Sequence, residues 1–104
     1  MNKIVTAGVI GAAGYTGGET LRLLVHHPHV KLVFAQSRSQ IGKRLSHIHT
    51  DLVGDTDLHF TDNVHEADVL FLCMGHGESK KWLEENPVAA HTRIIDLGND
   101  FRLG

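Results

Sequence analysis

Cysteine is almost absent from this 104-residue chain: Cys73 is the one thiol. That excludes an internal disulfide and fits a reducing cytoplasm. An excess of one charge is missing as well. Ten Lys and Arg stand against 12 Asp and Glu, and the formal net charge of −2 gives no support to binding of nucleic acid or a membrane surface. No apolar run approaches the roughly 20 residues that a membrane span needs. Proline occurs twice, at Pro28 and Pro87, each time where a helical pattern stops. The most informative absence is local: no Asp or Glu occurs between Glu19 and Asp51. The hydrophobic content of 41% is ordinary for a soluble globular chain. The length suits one domain with one core, and is small for an enzyme that must hold both cofactor and substrate.

What is present is concentrated near the start, in Gly8-Val9-Ile10-Gly11-Ala12-Ala13-Gly14-Tyr15-Thr16-Gly17-Gly18. An apolar, β-branched stretch (Ile4, Val5, Val9, Ile10) leads into glycines spaced three apart. Leu21, Leu24 and Val25 then recur at helical spacing. Strand, glycine turn and helix together place a helix N-terminus against a phosphate. Gly11 suits the tight turn, Gly14 the approach of backbone N–H groups to a pyrophosphate, and Gly17 the close packing of helix on strand. Taken alone, G-x-x-G-x-x-G also fits a tight turn that binds nothing. Its context is a βαβ unit of about thirty residues, closed by Pro28 and a second apolar strand from Val30 to Ala35. Met1-Asn2-Lys3 before an apolar run superficially resembles a signal peptide, but the glycines interrupt the run.

Thr16-Gly17-Gly18-Glu19 has the form of a capping box and predicts a helix start near Gly17. After the second strand, where an NAD-binding fold usually carries an acid for the ribose 2′-OH, the chain reads Gln36-Ser37-Arg38-Ser39-Gln40. Arg38 has the charge and fork geometry for a 2′-phosphate, and Ser37 and Ser39 add hydroxyl groups. A solvated polar loop with an incidental arginine would read the same way taken alone; with its position and the missing acid, the expected cofactor is NADP.

Residues 40–57 show no sustained period and predict an irregular crossover. His47-x-His49 and His26-His27-x-His29 have no matching set of cysteines or carboxylates, so these histidines read as solvated surface and no metal is expected. Leu58 to Thr61 predicts a short strand, Asp62 to Ala67 a turn or short helix, and Asp68 to Met74 a strongly apolar strand. Gly75-His76-Gly77 would face the crevice at that strand's end. Glu78 to Glu85 predicts a helix, and Arg93 to Leu97 the last strand. Cys73 reads as a core residue. The pattern is α/β: a Rossmann-type, doubly wound, mainly parallel sheet.

Gly11-Ala12-Ala13-Gly14-Tyr15-Thr16-Gly17 with Glu19-Thr20-Leu21-Arg22-Leu23-Leu24 resembles the opening of N-acetyl-gamma-glutamyl-phosphate reductases, in the aspartate-semialdehyde-dehydrogenase-like group. Ser37-Arg38-Ser39 with Gly42-Lys43 resembles their NADP loop, and Asp68 to Ser79 their next cofactor-facing loop. Asp96-Leu97 with Asp100-Phe101-Arg102 resembles their fifth strand and its exit. The family commonly has proline at the position of Gly75 and Ser-Ala at that of Gly98-Asn99. Its catalytic cysteine lies in a Gly-Cys-Tyr-Pro-like motif that these 104 residues do not contain, and Cys73 does not match it.

The resemblance implies that residues 1–104 are an NADP-binding Rossmann domain, a fragment preceding the substrate domain of a larger, homo-oligomeric cytoplasmic reductase. In the parent a thiolate would displace phosphate from an acyl phosphate, N-acetylglutamyl phosphate. NADPH would then reduce the thioester to a semialdehyde, a step of arginine biosynthesis. The residues so implicated in cofactor binding are Gly11, Ala13, Gly14, Tyr15, Thr16, Gly17, Ser37, Arg38, Ser39, Gly75 and His76, with no catalytic residue among them. A non-catalytic NADP-binding or sensing domain and an aspartate-semialdehyde dehydrogenase relative are the alternatives.

Overall fold

The computed structural model describes residues 3–74 and 78–97. Gly75 and His76, expected to face the cofactor crevice, lie outside the described residues. Five strands form one sheet: β1 (Val5–Ile10), β2 (Val30–Gln36), β3 (Phe60–Thr61), β4 (Val69–Leu72) and β5 (Arg93–Asp96). Their order is β3-β2-β1-β4-β5, and every neighbouring pair is parallel. The strand order reverses on either side of β1, where a doubly wound sheet opens its ligand crevice.

Alternation along the strands sorts the core onto the two faces of the sheet. Ala7 and Val9 of β1 join Leu21 and Leu24 of helix α1 (Tyr15–Val25) on one face, together with Ala35, Leu45, Leu52 and Phe60. Ile10, Phe34, Leu70 and Leu72 form the other face and receive Trp82 from helix α3 (Glu78–Glu85). Gly8 makes the second face possible. A Cβ there would lie 2.2 Å from the Phe34 ring, so only glycine lets the ring cross β1. The β1–β2 register slips at the same place, between Ala7 and Gly8.

The crossover from β2 to β3 is irregular, as its sequence predicts. It holds a single helical turn, α2 (Leu45–Ile48), followed by a 3-10 turn at Thr50–Leu52. Leu45 and Leu52 are its two buried anchors. Pairing in β3 covers only Phe60–Thr61, and no helix forms between Asp62 and Ala67.

Asp68 fastens the start of β4. The Thr6 N–H donates to its carboxylate at 3.0 Å, while the Asp68 N–H donates to the Thr6 hydroxyl at 2.9 Å. The Asp68 carbonyl also accepts the Arg93 N–H at 2.9 Å, so one residue ties the starts of three adjacent strands. These Thr6 bonds, the backbone one foremost, hold the Asp68 carboxyl below the usual range.

Candidate nucleotide-binding site

The site grows from the turn between β1 and α1. Gly11 has φ +76, a left-handed conformation that favours glycine, and a Cβ there would press to 3.0 Å on the Cys73 carbonyl. The Gly11 N–H donates to Gln36 Oε1 at 3.1 Å, and the Ala12 N–H to the Gln36 carbonyl at 2.8 Å. The end of β2 therefore holds the turn in place.

Helix α1 starts at Tyr15, two residues earlier than expected. Its N-cap is Gly14, in an extended conformation with ψ −177. The capping-box expectation is corrected here: no side chain caps this terminus. Thr16 lies inside the helix, where its carbonyl accepts the Thr20 hydroxyl at 2.9 Å, and Glu19 pairs with Arg22 instead. The first N–H groups of α1, which have no intrahelical partner, are thus left to whatever occupies the space before them. A Cβ on Gly14 would meet nothing within 4 Å, so that space is open. Gly17 is the opposite case. A Cβ there would sit 2.6 Å from the Ala12 backbone, and glycine is what lets the helix lie directly on the turn.

In front of the turn lies a cleft of about 560 Å³, within the range of small-molecule and cofactor sites. Gly11, Ala13 and Gly14 of the turn line it together with Gln36, Ser37, Arg38 and Ser39 at the tip of β2. The structure thus brings together six of the residues implicated by sequence. Tyr15, Thr16 and Gly17 do not line the cleft: Tyr15 is 85% exposed, and Gly17 is buried under the turn. Ser37 and Ser39 stand with their hydroxyl oxygens 3.3 Å apart, beside an exposed Arg38.

Several participants were not foreseen from the sequence. Met74, Glu78, Lys81, Trp82 and Glu85 also line the cleft, four of them from α3. Gln36 is buried although polar, and its amide Nε2 donates to Asp62 Oδ1 at 2.9 Å. Asp62 also pairs with Arg38, with Nε 3.8 Å from the same carboxylate oxygen. A buried glutamine ending an apolar parallel strand was the available signal, because side chains at that end face the crevice.

Reading His49 as solvated surface is corrected as well. Its ring is half-buried, and Nε2 donates to the Ala12 carbonyl at 2.8 Å. His26 is exposed and pairs with Asp55 at 3.0 Å. Among the described residues no group of three or more His, Cys, Asp or Glu side chains could hold a metal ion. No described helix is long and apolar enough to cross a membrane.

Cys73 packs half-buried against the α1 side of the core, its sulfur 3.6 Å from the Thr20 hydroxyl. Burial pushes its thiol up, against a smaller opposing effect of the Thr20 bond. A thiol held protonated in this way is a poor nucleophile.

Known proteins resemble the chain in both sequence and fold. N-acetyl-gamma-glutamyl-phosphate reductases from Christiangramia forsetii, Flavobacterium johnsoniae and Bacteroides thetaiotaomicron are 54%, 50% and 46% identical to it, each over 96% of the chain. The chain spans about a third of those relatives, 31–32% of their length. An aspartate semialdehyde dehydrogenase with NADP from Candida albicans shares the fold at a TM-score of 0.70 and 20% identity, over 97% of this chain and 31% of that one. The family described as semialdehyde dehydrogenase, NAD binding domain, matches residues 6–104. With the parallel sheet, the glycine turn and the cleft before it, that match makes the chain a member of the semialdehyde dehydrogenase NAD-binding domain family, whose ligand is a nicotinamide cofactor.

Proposed function

We propose that this chain is the NADP-binding portion of an N-acetyl-gamma-glutamyl-phosphate reductase, with residues 1–104 as its dinucleotide domain. The observation that carries the reading is that the open glycine turn and the group Ser37, Arg38 and Ser39 share one cleft. A pyrophosphate at the turn then leaves the adenosine 2′-phosphate to Arg38, at the end of the second strand where a dinucleotide fold reads the ribose. The reductase assignment is supported by relatives of that name at 46–54% identity.

The fit is physical. Gly11, Ala13 and Gly14 give backbone to the pyrophosphate, helped by the first-turn N–H groups of α1 at Tyr15 and Thr16. Gly17 acts by packing. Ser37, Arg38 and Ser39 hold the 2′-phosphate by charge-assisted hydrogen bonds. Gly75 and His76 belong to the same proposed set through the sequence resemblance alone. When bound, the nicotinamide supplies the hydride that reduces an acyl phosphate to a semialdehyde in the whole protein. None of the chain's own side chains is assigned the nucleophile, and Cys73 stays in the core.

The reading carries with it arginine biosynthesis, a small-molecule substrate, a cytoplasmic setting for the free thiol of Cys73, and no nucleic-acid or membrane partner. Self-association is part of it too. Among the described residues β5 edges the sheet and leaves Ile95 40% exposed. Light scattering at high concentration tests this, and a strictly monomeric chain counts against it. The cofactor reading is tested by titration with NADPH and NADH. A tenfold or greater preference for NADPH is expected on charge-assisted bonding to Arg38; equal affinities overturn it.

A further inference from the structure

The acid missing from the tip of β2 is restored from elsewhere in the fold. Asp62 follows β3 directly, 26 residues beyond Gln36, and its carboxylate lies beside the tip of β2. One oxygen, Oδ1, serves two partners: it accepts the Gln36 amide at 2.9 Å and lies 3.8 Å from Arg38 Nε. The Gln36 amide is thereby oriented with Oε1 toward the Gly11 N–H, at 3.1 Å. A continuous path of polar contacts runs from Arg38 at the rim, through Asp62 and Gln36, to the glycine turn.

We propose that Asp62 is a positioning residue that sets cofactor selectivity, opposing the 2′-phosphate for possession of Arg38 while holding Gln36 against the turn. The inference rests on the proposed placement of a 2′-phosphate at Arg38. Its chemistry is a competition. Arg38 is largely exposed and free to turn, so a phosphate can take it from Asp62, but the carboxylate stays nearby as a like charge. The fold therefore lowers a preference for NADPH that Arg38 alone would set higher. The second contact is insensitive to the cofactor's phosphate, because the glycine turn serves NADH and NADPH alike.

The two contacts separate by mutation. Asp62→Asn keeps an oxygen for the Gln36 amide and removes the charge. Asp62→Ala removes both. In titrations of the full chain, Asp62→Asn should raise the ratio of NADH to NADPH dissociation constants about three- to tenfold, the scale of one partly screened like charge. Its affinity for NADH should stay within about twofold of wild type. The gain in the ratio should shrink as salt is raised, which a purely structural change would not reproduce. Asp62→Ala should show the same gain in the ratio together with a severalfold weaker hold on both cofactors. A ratio that is unchanged or lower in Asp62→Asn overturns the selectivity role. Equal NADH affinity in the two variants overturns the link to Gln36. The wild-type ratio is a separate reading: a value of one there would sink the assignment of NADP, whereas the change on mutation judges Asp62.

Discussion

His49 donates from Nε2 to the carbonyl of Ala12 at 2.8 Å, so the crossover after β2 holds the back of the glycine turn whose front faces the cleft. Room for the ring comes from Gly18, where a Cβ would lie 2.7 Å from it. Glycine inside a helix costs about 0.5–1 kcal/mol relative to alanine, and this contact accounts for its presence. The ring also meets Phe60 edge-on, with centroids 6.2 Å apart.

Removing that ring leaves the Ala12 carbonyl without its partner and opens a gap beside Gly18. His49→Ala should lower stability by about 1–3 kcal/mol in urea denaturation. It should also weaken NADH and NADPH equally, since the turn serves both. His49→Gln, which retains an N–H donor, should recover part of the loss. Wild-type stability in His49→Ala would reduce the contact to an incidental one.

Gly14 and Gly17 separate binding from folding. A side chain at Gly14 meets no protein atom, and φ −81 is open to any residue. Gly14→Val should therefore stay within about 1 kcal/mol of wild-type stability, valine being only a poorer N-cap. It should still weaken both cofactors at least tenfold by filling the space of the pyrophosphate. Gly17→Ala forces a Cβ against the Ala12 backbone and should cost about 1–3 kcal/mol, seen as a lower melting temperature. Should Gly14→Val bind both cofactors normally, the cradle lies elsewhere.

These cases mark how far the sequence could be read. The unit β1–α1–β2 was legible because each of its signals is local: a β-branched run, glycines at fixed spacing, then Pro28. Helix α3 matches its expected limits, Glu78–Glu85, for the same reason, with Gly77 before it and Pro87 after. His49, Gln36 and Asp62 were not legible. Their contacts join residues 25 to 37 positions apart, and no local period encodes such a meeting. The Thr16–Glu19 pattern misled because a capping box describes what side chains can do. Here the helix starts at Tyr15 with Gly14 as its N-cap, which puts Thr16 inside the helix rather than at its cap, and Glu19 takes Arg22.

Asp68 gives the fold a pH dependence on the acid side. Its folded pKa lies below the unfolded value, so the ionised form is favoured in the native state. The resulting stability is fully present above the unfolded value of about 4, and is lost as pH falls through the lower, folded value. Asp51, held down chiefly by its hydrogen bond from Arg22, acts in the same direction. Unfolding midpoints in urea between about pH 2 and 5 should therefore fall with acid. Asp68→Asn should flatten that slope while lowering stability at neutral pH. An unaltered acid slope in the variant would remove Asp68 from this role.

Cofactor choice is the sharpest test of the site. Arg38 is exposed and only loosely paired, so bonds from its guanidinium to a 2′-phosphate compete with water and are worth about 1.5–3 kcal/mol. That corresponds to roughly a ten- to hundredfold preference for NADPH. Arg38→Ala should erase most of it by weakening NADPH, with NADH affinity nearly unchanged, because the pyrophosphate is held by the β1–α1 turn at Gly11 and Gly14 and not by Arg38, which follows β2. Lysine at the same position should restore only part of the preference, since an ammonium lacks the planar fork that meets two phosphate oxygens at once. Calorimetric titration of wild type, Arg38→Ala and Arg38→Lys with both cofactors decides among the possibilities. An alanine variant that loses NADH and NADPH equally would place Arg38 at the pyrophosphate instead. A variant that keeps the full preference would transfer the 2′-phosphate to another cation, and Lys81, which also lines the cleft, is then the residue to replace next.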